Sequence, residues 1–251
     1  MVAGNSASPG QSVSGRLLAV LDCFDVAHPT LTLTEIADRA GLPLSTARRL
    51  IAELVAWGGL ERLPDGRHFR IGIRLWRIGS LAPRQRVLSE AAFPFMQDLC
   101  EATRENVQLA VLDDGEALCV EKISSRQAVP TATLVGGRLP LHATAVGKVL
   151  LAFSPPQVWR DLATAGLPAL TRNTIVQPGR LASALEAVVE QGIAYSYEEM
   201  TLGAVSVAAP IRDASGTVQG ALGIVTHSHL RVDQLGPAVR TAALGISRRL
   251  A

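Results

Sequence analysis

The residues of this sequence best fitted to chemistry are hydrogen-bond donors, gathered in two places. In the first, Ser45, Thr46, Arg48 and Arg49 sit at the start of an apolar-striped stretch, with Thr34 before them and Arg62 and Arg67 after. Short hydroxyls and arginines at a helix start can reach base edges in a DNA major groove and hold phosphates. The second place is Thr144-Ala-Val-Gly147, where Thr144 can cap a helix whose first free amides belong to Ala145, Val146 and Gly147. Unpaired amides at the positive end of a helix dipole favour a carboxylate, and Gly147 would keep the approach open. The competing reading there is a capped core helix. His142 fits a satisfied structural histidine better than a ligand contact, and Lys148 either faces the anion or points to solvent. Enzyme signatures are missing: the sequence has no H-E-x-x-H and no G-x-S-x-G. His142 and Val149 break the phosphate-loop pattern around Gly147-Lys148, and the adjacent Glu198 and Glu199 would face opposite sides of a strand. No cofactor or metal is expected.

The elements that must position these groups follow from periodicity. Leu33–Leu60 reads as two short amphipathic helices around a turn. Thr34 is placed to cap the first, Gly41 and Pro43 end it, and Leu50, Ile51, Leu54 and Val55 give the second an apolar face. Ser14–Ala27, with Leu17, Leu18, Val20, Leu21 and Phe24, should pack beneath the pair until Pro29 stops it. Leu60–Leu63 and His68–Ile71 flank Pro64-Asp-Gly-Arg67, which is turn chemistry, so a hairpin follows directly. A helix pair followed by a hairpin describes a winged helix, with Arg67 at the wing tip for a backbone or minor-groove contact. The competing reading is a helical hairpin with a solvated face.

Beyond it, Arg74–Arg86 reads as a connecting helix broken at Gly79 and Pro83, and Ser89–Glu105 as a helix with Phe93, Met96, Leu99 and Cys100 on one face. Strands are expected at Val107–Leu112, Ala117–Ile123, Gly192–Ser196, Ala204–Arg212 and Val218–Thr226. Helices are expected at Thr144–Phe153, Pro156–Ala165, Arg180–Gln191 and Val232–Leu250. The second half is thus α+β, an antiparallel sheet covered by helices.

Composition fits this plan. The 251 residues are 48% hydrophobic but only 4% aromatic, so the cores must be aliphatic. The net charge of +2 is uneven: Arg39–Arg84 holds nine arginines against Glu53, Glu61 and Asp65. That local excess is where phosphates would be neutralised. Cys23, Cys100 and Cys119 are odd in number, widely spaced and without metal-ligand companions, so buried reduced thiols are expected. With no membrane-length apolar run and no signal peptide, a cytoplasmic chain without membrane partners is expected.

Laid out in this way, the chain resembles the IclR family of bacterial transcription regulators from Ser14 onward. After the winged helix, the resemblance is carried by Leu139–Ala152 (LPLHATAVGKVLLA), Gly192–Glu199 (GIAYSYEE) and Gly203–Pro210 (GAVSVAAP). It implies a winged helix-turn-helix domain over 14–73 after a disordered tail, 1–13. A linker helix over 74–86 would join it to a GAF/profilin-like effector-binding and oligomerisation domain over 87–251. It further implies a homodimer or tetramer on a palindromic double-stranded operator, repressing a catabolic operon and sensing a small organic acid. The family's pocket positions fall on Leu139, Ala145, Val146, Ser196, Ala204, Ser206, Gly223 and Val225. Small-oxoacid sensors of the family carry a carboxylate at Ser196, a thiol at Ser206 and hydroxyls at Gly223 and Val225. The departures imply a less polar pocket, roomier at Gly223, for an aromatic or alkyl acid. Two alternatives stay open: a second domain that only dimerises, and a small-acid enzyme.

Overall fold

The computed structural model describes residues 12–131 and 133–251, and the chain divides into two compact units, the first ending at Pro83 and the second spanning Arg84–Ala251. The tail expected over 1–13 lies outside the described residues up to position 11. Its last two residues instead open helix α1 (Val13–Leu21), where the Ser12 hydroxyl accepts from the Gly15 amide at 2.9 Å. α1 stops well short of the expected Ala27. Just beyond it, the Asp25 carboxylate accepts from the His28 amide at 2.7 Å and from Arg39 at 2.9 Å. Such a local acceptor gives the backbone an alternative to another helical turn. Leu18, expected in the core, is exposed.

Strand β1 (Thr30–Thr32) leads into α2 (Leu33–Arg39). The cap of α2 is Thr32, not Thr34. Thr32 Oγ1 accepts from the Glu35 amide at 3.3 Å, and Glu35 Oε2 accepts from the Thr32 amide at 2.7 Å. This reciprocal pair is the capping box; Thr34 lies two residues later, inside the helix, with Ala37 where a capping box would need its acid. Thr32→Ala is expected to cost about 1 kcal/mol, read as faster amide exchange over 33–39. α3 (Leu44–Trp57) buries Ala47, Leu50, Ile51 and Leu54 and ends at Gly58, whose φ of +83° is left-handed. β2 (Leu60–Arg62) and β3 (His68–Ile71) form the expected hairpin, and β1 adds to it in the order β1-β3-β2. In the hairpin turn, Asp65 accepts from the amides of Arg67 and His68, which holds its carboxyl well below the usual range. Val20, Ile36, Leu50, Leu54, Leu60 and Phe69 close a single core beneath these elements.

α4 (Ile73–Gly79) and α5 (Pro83–Thr103) follow. Pro83 starts the long helix instead of breaking one, since a missing amide costs nothing in a first turn. α5 buries Met96, Leu99 and Cys100 as expected, but Phe93 faces outward. The second unit then alternates β4 (Asn106–Asp113), β5 (Glu116–Ile123), β6 (Arg138–Leu139), α6 (Ala145–Ala152), α7 (Pro156–Ala165), α8 (Pro178–Gln191), β7 (Ala194–Tyr197), β8 (Ala204–Arg212), β9 (Val218–His227) and α9 (Gly236–Leu250). The closing helix expected from Val232 begins instead as a 3-10 turn, Val232–Leu235.

The sheet is six-stranded and antiparallel, in the order β6-β5-β4-β9-β8-β7. Side chains alternate across it, and the two faces differ in size. Val107, Leu109, Val207, Ile211, Leu222 and Ile224 pack against α5 and α9. Ala110, Ala208 and Ala221 face α6, which therefore lies close to the sheet and is buried along nearly its whole length. Among the described residues, no helix is long and apolar enough to cross a membrane.

Candidate functional site

Two surfaces gather the polar side chains singled out above. The first is a groove between the start of α2, α3 and the hairpin. Thr34, Arg48, Arg62 and Arg67 line it, over a floor that includes Ile51, Val55 and Phe69. Ser45, Thr46 and Arg49 lie outside this groove, Ser45 and Arg49 exposed and Thr46 half-buried. Arg49 is engaged by Glu53 at 2.7 Å, one turn along the helix. Arg62 lies over the Phe69 ring, 5.7 Å from its centroid. Arg48 and Arg67 have no carboxylate partner among the described residues. The structure thus separates two arginines that the sequence treats alike. Arg48→Ala is expected to weaken operator binding by about 1–3 kcal/mol, measured by fluorescence anisotropy. Arg49→Ala should cost less, because its guanidinium already has a partner that competes with DNA.

The second surface is a small cleft at the start of α6. The sheet contributes Gln108, Ser196, Ala204, Ser206 and Val225; the segment before α6 contributes Leu139, Ala143 and Thr144. Thr131, Thr133, Met200 and Thr201 complete the wall, with Pro130 and Val205 at its edges. Register brings the strand residues together, since Ser196 stands opposite Ser206 and Ser206 opposite Val225. Six expected residues therefore meet: Leu139, Thr144, Ser196, Ala204, Ser206 and Val225.

The other four lie behind the wall. Ala145, Val146, Gly147 and Gly223 pack helix against sheet, and two expectations about them need correction. Gly147 does not keep a ligand path open. A Cβ there would stand 2.6 Å from Thr144 Oγ1 and 2.7 Å from the Leu141 backbone, so the glycine serves the turn into α6. Nor is the cleft roomier at Gly223, because Val146 Cγ1 would lie 2.8 Å from a Cβ at that position. The amides at the helix start are also less available than the sequence implies. Thr144 Oγ1 accepts from Gly147 at 3.0 Å, and Ser206 Oγ accepts from Ala145 at 3.4 Å. Ser196 Oγ donates to Ala143 O at 2.9 Å and fixes the same segment.

Lys148 corrects a third expectation. It points neither to an anion in the cleft nor to solvent. Its ammonium is buried, donating to Glu199 Oε1 at 2.6 Å and to Tyr195 O at 3.0 Å. Burial pushes its pKa down, and the Glu199 carboxylate opposes that shift. Glu198 and Glu199 lie in a bend after β7, not in a strand, and are kept apart by different partners. Glu198 accepts from the Gly203 amide at 2.6 Å. His142 is buried with Nε2 3.0 Å from Pro168 O, in a structural setting. Cys23, Cys100 and Cys119 are buried free thiols, and burial raises the pKa of each, that of Cys119 to about 11.

Sequence reasoning missed Gln108, Thr131, Thr133, Met200 and Thr201. For Gln108 a signal existed: Asn106 and Gln108 alternate with Val107 and Leu109 in a strand apolar on its other face. Amides in the buried register of a strand need partners, which a cavity or a crossing segment supplies. For the loop residues no periodic signal existed.

Comparison with known proteins covers both units of the chain. Residues 15–64 match the family model of the IclR helix-turn-helix domain, and residues 82–248 that of the bacterial transcriptional regulator IclR C-terminal region. The chain is 32% identical over 237 residues to the transcriptional repressor IclR of Escherichia coli, covering 91% of this chain and 86% of that one. It is 30% identical to the p-hydroxybenzoate hydroxylase transcriptional activator of Acinetobacter baylyi, covering 90% and 87%. Among solved structures, an IclR homolog of Microbacterium hydrocarbonoxydans complexed with 4-hydroxybenzoate superposes with a TM-score of 0.90 at 35% identity, covering 95% and 99%.

Proposed function

Because this chain belongs to the IclR family of bacterial transcriptional regulators, we propose that it represses a catabolic operon and releases or rearranges on DNA when an aromatic carboxylate fills the α6 cleft. The single observation that carries the ligand class is the make-up of that cleft. Hydroxyls and an amide (Thr131, Thr133, Ser196, Ser206, Gln108) share its wall with Leu139, Met200, Ala204 and Val225. An aromatic acid offers a face to the second set and polar ends to the first. The 4-hydroxybenzoate held by the Microbacterium hydrocarbonoxydans relative supports this choice. The lining carries no carboxylate, imidazole or thiol among the described residues, which favours binding over turnover.

On the DNA side, α3 enters the major groove with Ser45, Thr46, Arg48 and Arg49 toward the duplex, Arg48 the freer of the two arginines. Thr34, Arg62 and Arg67 hold the backbone. A homodimer or tetramer presents two such units to a palindromic operator in the cytoplasm. Ligand affects DNA affinity only through a difference in its affinity for the two states, and the coupling is reciprocal.

Calorimetry and thermal shift with benzoate, 4-hydroxybenzoate, pyruvate and glyoxylate test the ligand class. A ligand at a hundred times its Kd should stabilise the protein by about 2.7 kcal/mol. Tight glyoxylate or pyruvate binding with none of the aromatic acids would overturn it. No stabilisation by any acid would favour a second unit that only dimerises.

A further inference from the structure

The chain holds twenty-two arginines but only two lysines, Lys122 and Lys148, and both lie beside the cleft. Their settings differ in one respect. Lys148 is neutralised by Glu199. Lys122, half-buried on β5, has no carboxylate within ion-pairing distance among the described residues. Its Nζ donates to Thr131 Oγ1 at 2.7 Å and to Thr133 O at 2.6 Å. Both threonines line the cleft. So does Gln108, which stands directly opposite Lys122 in the β4–β5 register and so shares its face of the sheet.

An ammonium drawn out of water is costly when only neutral oxygens replace the solvent. Burial accordingly lowers the pKa of Lys122. An ammonium has three N–H donors, and two are used here. Thr131 accepts from Lys122, which leaves its own hydroxyl hydrogen to donate. Lys122 is not itself among the residues that line the cleft, but it is hydrogen-bonded to two that are, and among the described residues its third N–H and the Thr131 hydroxyl hydrogen have no acceptor. At the start of α6, two of the three first-turn amides have acceptors, Ala145 in Ser206 at 3.4 Å and Gly147 in Thr144 at 3.0 Å.

We propose that Lys122 is the counter-charge for the ligand's carboxylate, and that the acid end of the ligand lies at the Thr131–Thr133 wall, not at the start of α6. This rests on the reading of the cleft as a carboxylate site and assigns its polarity. The lysine is then the specificity determinant that separates acids from their neutral analogues, with Thr131 and Thr133 positioning it.

The test uses the intact protein, with 4-hydroxybenzoate and the neutral 4-hydroxybenzamide as probes in calorimetry. Wild type should prefer the acid. Lys122→Met should weaken acid binding by about tenfold or more while amide binding stays within about twofold. Lys122→Arg, which keeps the charge, should restore most of the preference. Lysine labelled with 13C at Cε gives a readout free of folding defects, because the chain has only two such side chains. On saturation with acid the Lys122 signal should move and the Lys148 signal should not. A Lys122→Met protein that still prefers the acid would overturn the proposal. So would equal losses for acid and amide, or a static Lys122 signal in acid-saturated protein. Should wild type bind pyruvate or glyoxylate instead, the aromatic reading fails, and the same variants against that acid decide on Lys122. Binding of no carboxylate at all removes both.

Discussion

Glu199→Ala is expected to destabilise the second unit by about 3–5 kcal/mol, the cost of stranding a buried charge by removing its partner. Lys148 is 3% exposed and Glu199 5% exposed, and their contact ties α6 to the bend after β7. The backbone there adds to the pair: Lys148 also donates to Tyr195 O, and the Tyr197 amide donates to Glu199 Oε1 at 3.3 Å. Without the carboxylate, the ammonium keeps its desolvation penalty and one neutral acceptor. The pH dependence carries a definite sign. Burial lowers the pKa of Lys148 from 10.5, so the unfolded chain binds more protons than the folded one between the lowered value and 10.5. Stability must rise with pH across that window. The effect is larger in Glu199→Ala, where the carboxylate no longer raises the pKa. Urea unfolding followed by circular dichroism should show the deficit at pH 7 and its partial recovery near pH 10. The double variant Lys148→Met/Glu199→Leu, which removes both charges, should fall within about 1 kcal/mol of wild type or exceed it. A single variant as stable as wild type at pH 7 would mean that water reaches the pair.

The second large effect is expected for Gly147→Val, at about 3 kcal/mol or more, since overpacking a closed site forces backbone to move. Two of the three atoms nearest an added Cβ are backbone, Leu141 Cα and Leu141 O, both at 2.7 Å; the third, Thr144 Oγ1, is the cap itself. Neither can yield without moving the turn that carries Leu139 and Thr144 into the cleft. The same substitution should therefore abolish ligand binding. Gly223→Ala offers the contrast. Its nearest neighbour is a side-chain methyl of Val146 at 2.8 Å, which can shift, so the cost should stay at about 1–3 kcal/mol. Urea midpoints and calorimetry on both variants compare the two directly.

Much of this architecture is legible in the sequence because it rests on local rules. Leu50, Ile51 and Leu54 mark the buried face of α3, Pro64-Asp-Gly-Arg67 marks the hairpin turn, and Thr144 caps α6 as its position suggests. Where two residues compete for one role, finer chemistry decides. Thr32 and Thr34 are equivalent hydroxyls, and it is Glu35, three residues beyond Thr32, that selects the cap. The failures have a common cause. A solvent-facing Lys148 requires α6 to have an exposed face, yet nearly every side chain of α6 is buried, and such a helix carries no solvent face. A glycine at 223 implies free space in the sequence, but the space beside a glycine belongs to whatever packs against it, here Val146. Lys122 stands beside Gln108 only because β4 and β5 pair in one register. Such a long-range fact leaves no trace in local periodicity.

The coupling of the two surfaces is best tested by anisotropy titration of the intact protein on labelled DNA from its upstream region, with and without saturating aromatic carboxylates. Sequence-specific binding should change in affinity by about 5–150-fold when the acid is bound. An operator affinity that stays the same with and without an acid shown to occupy the cleft would contradict the account.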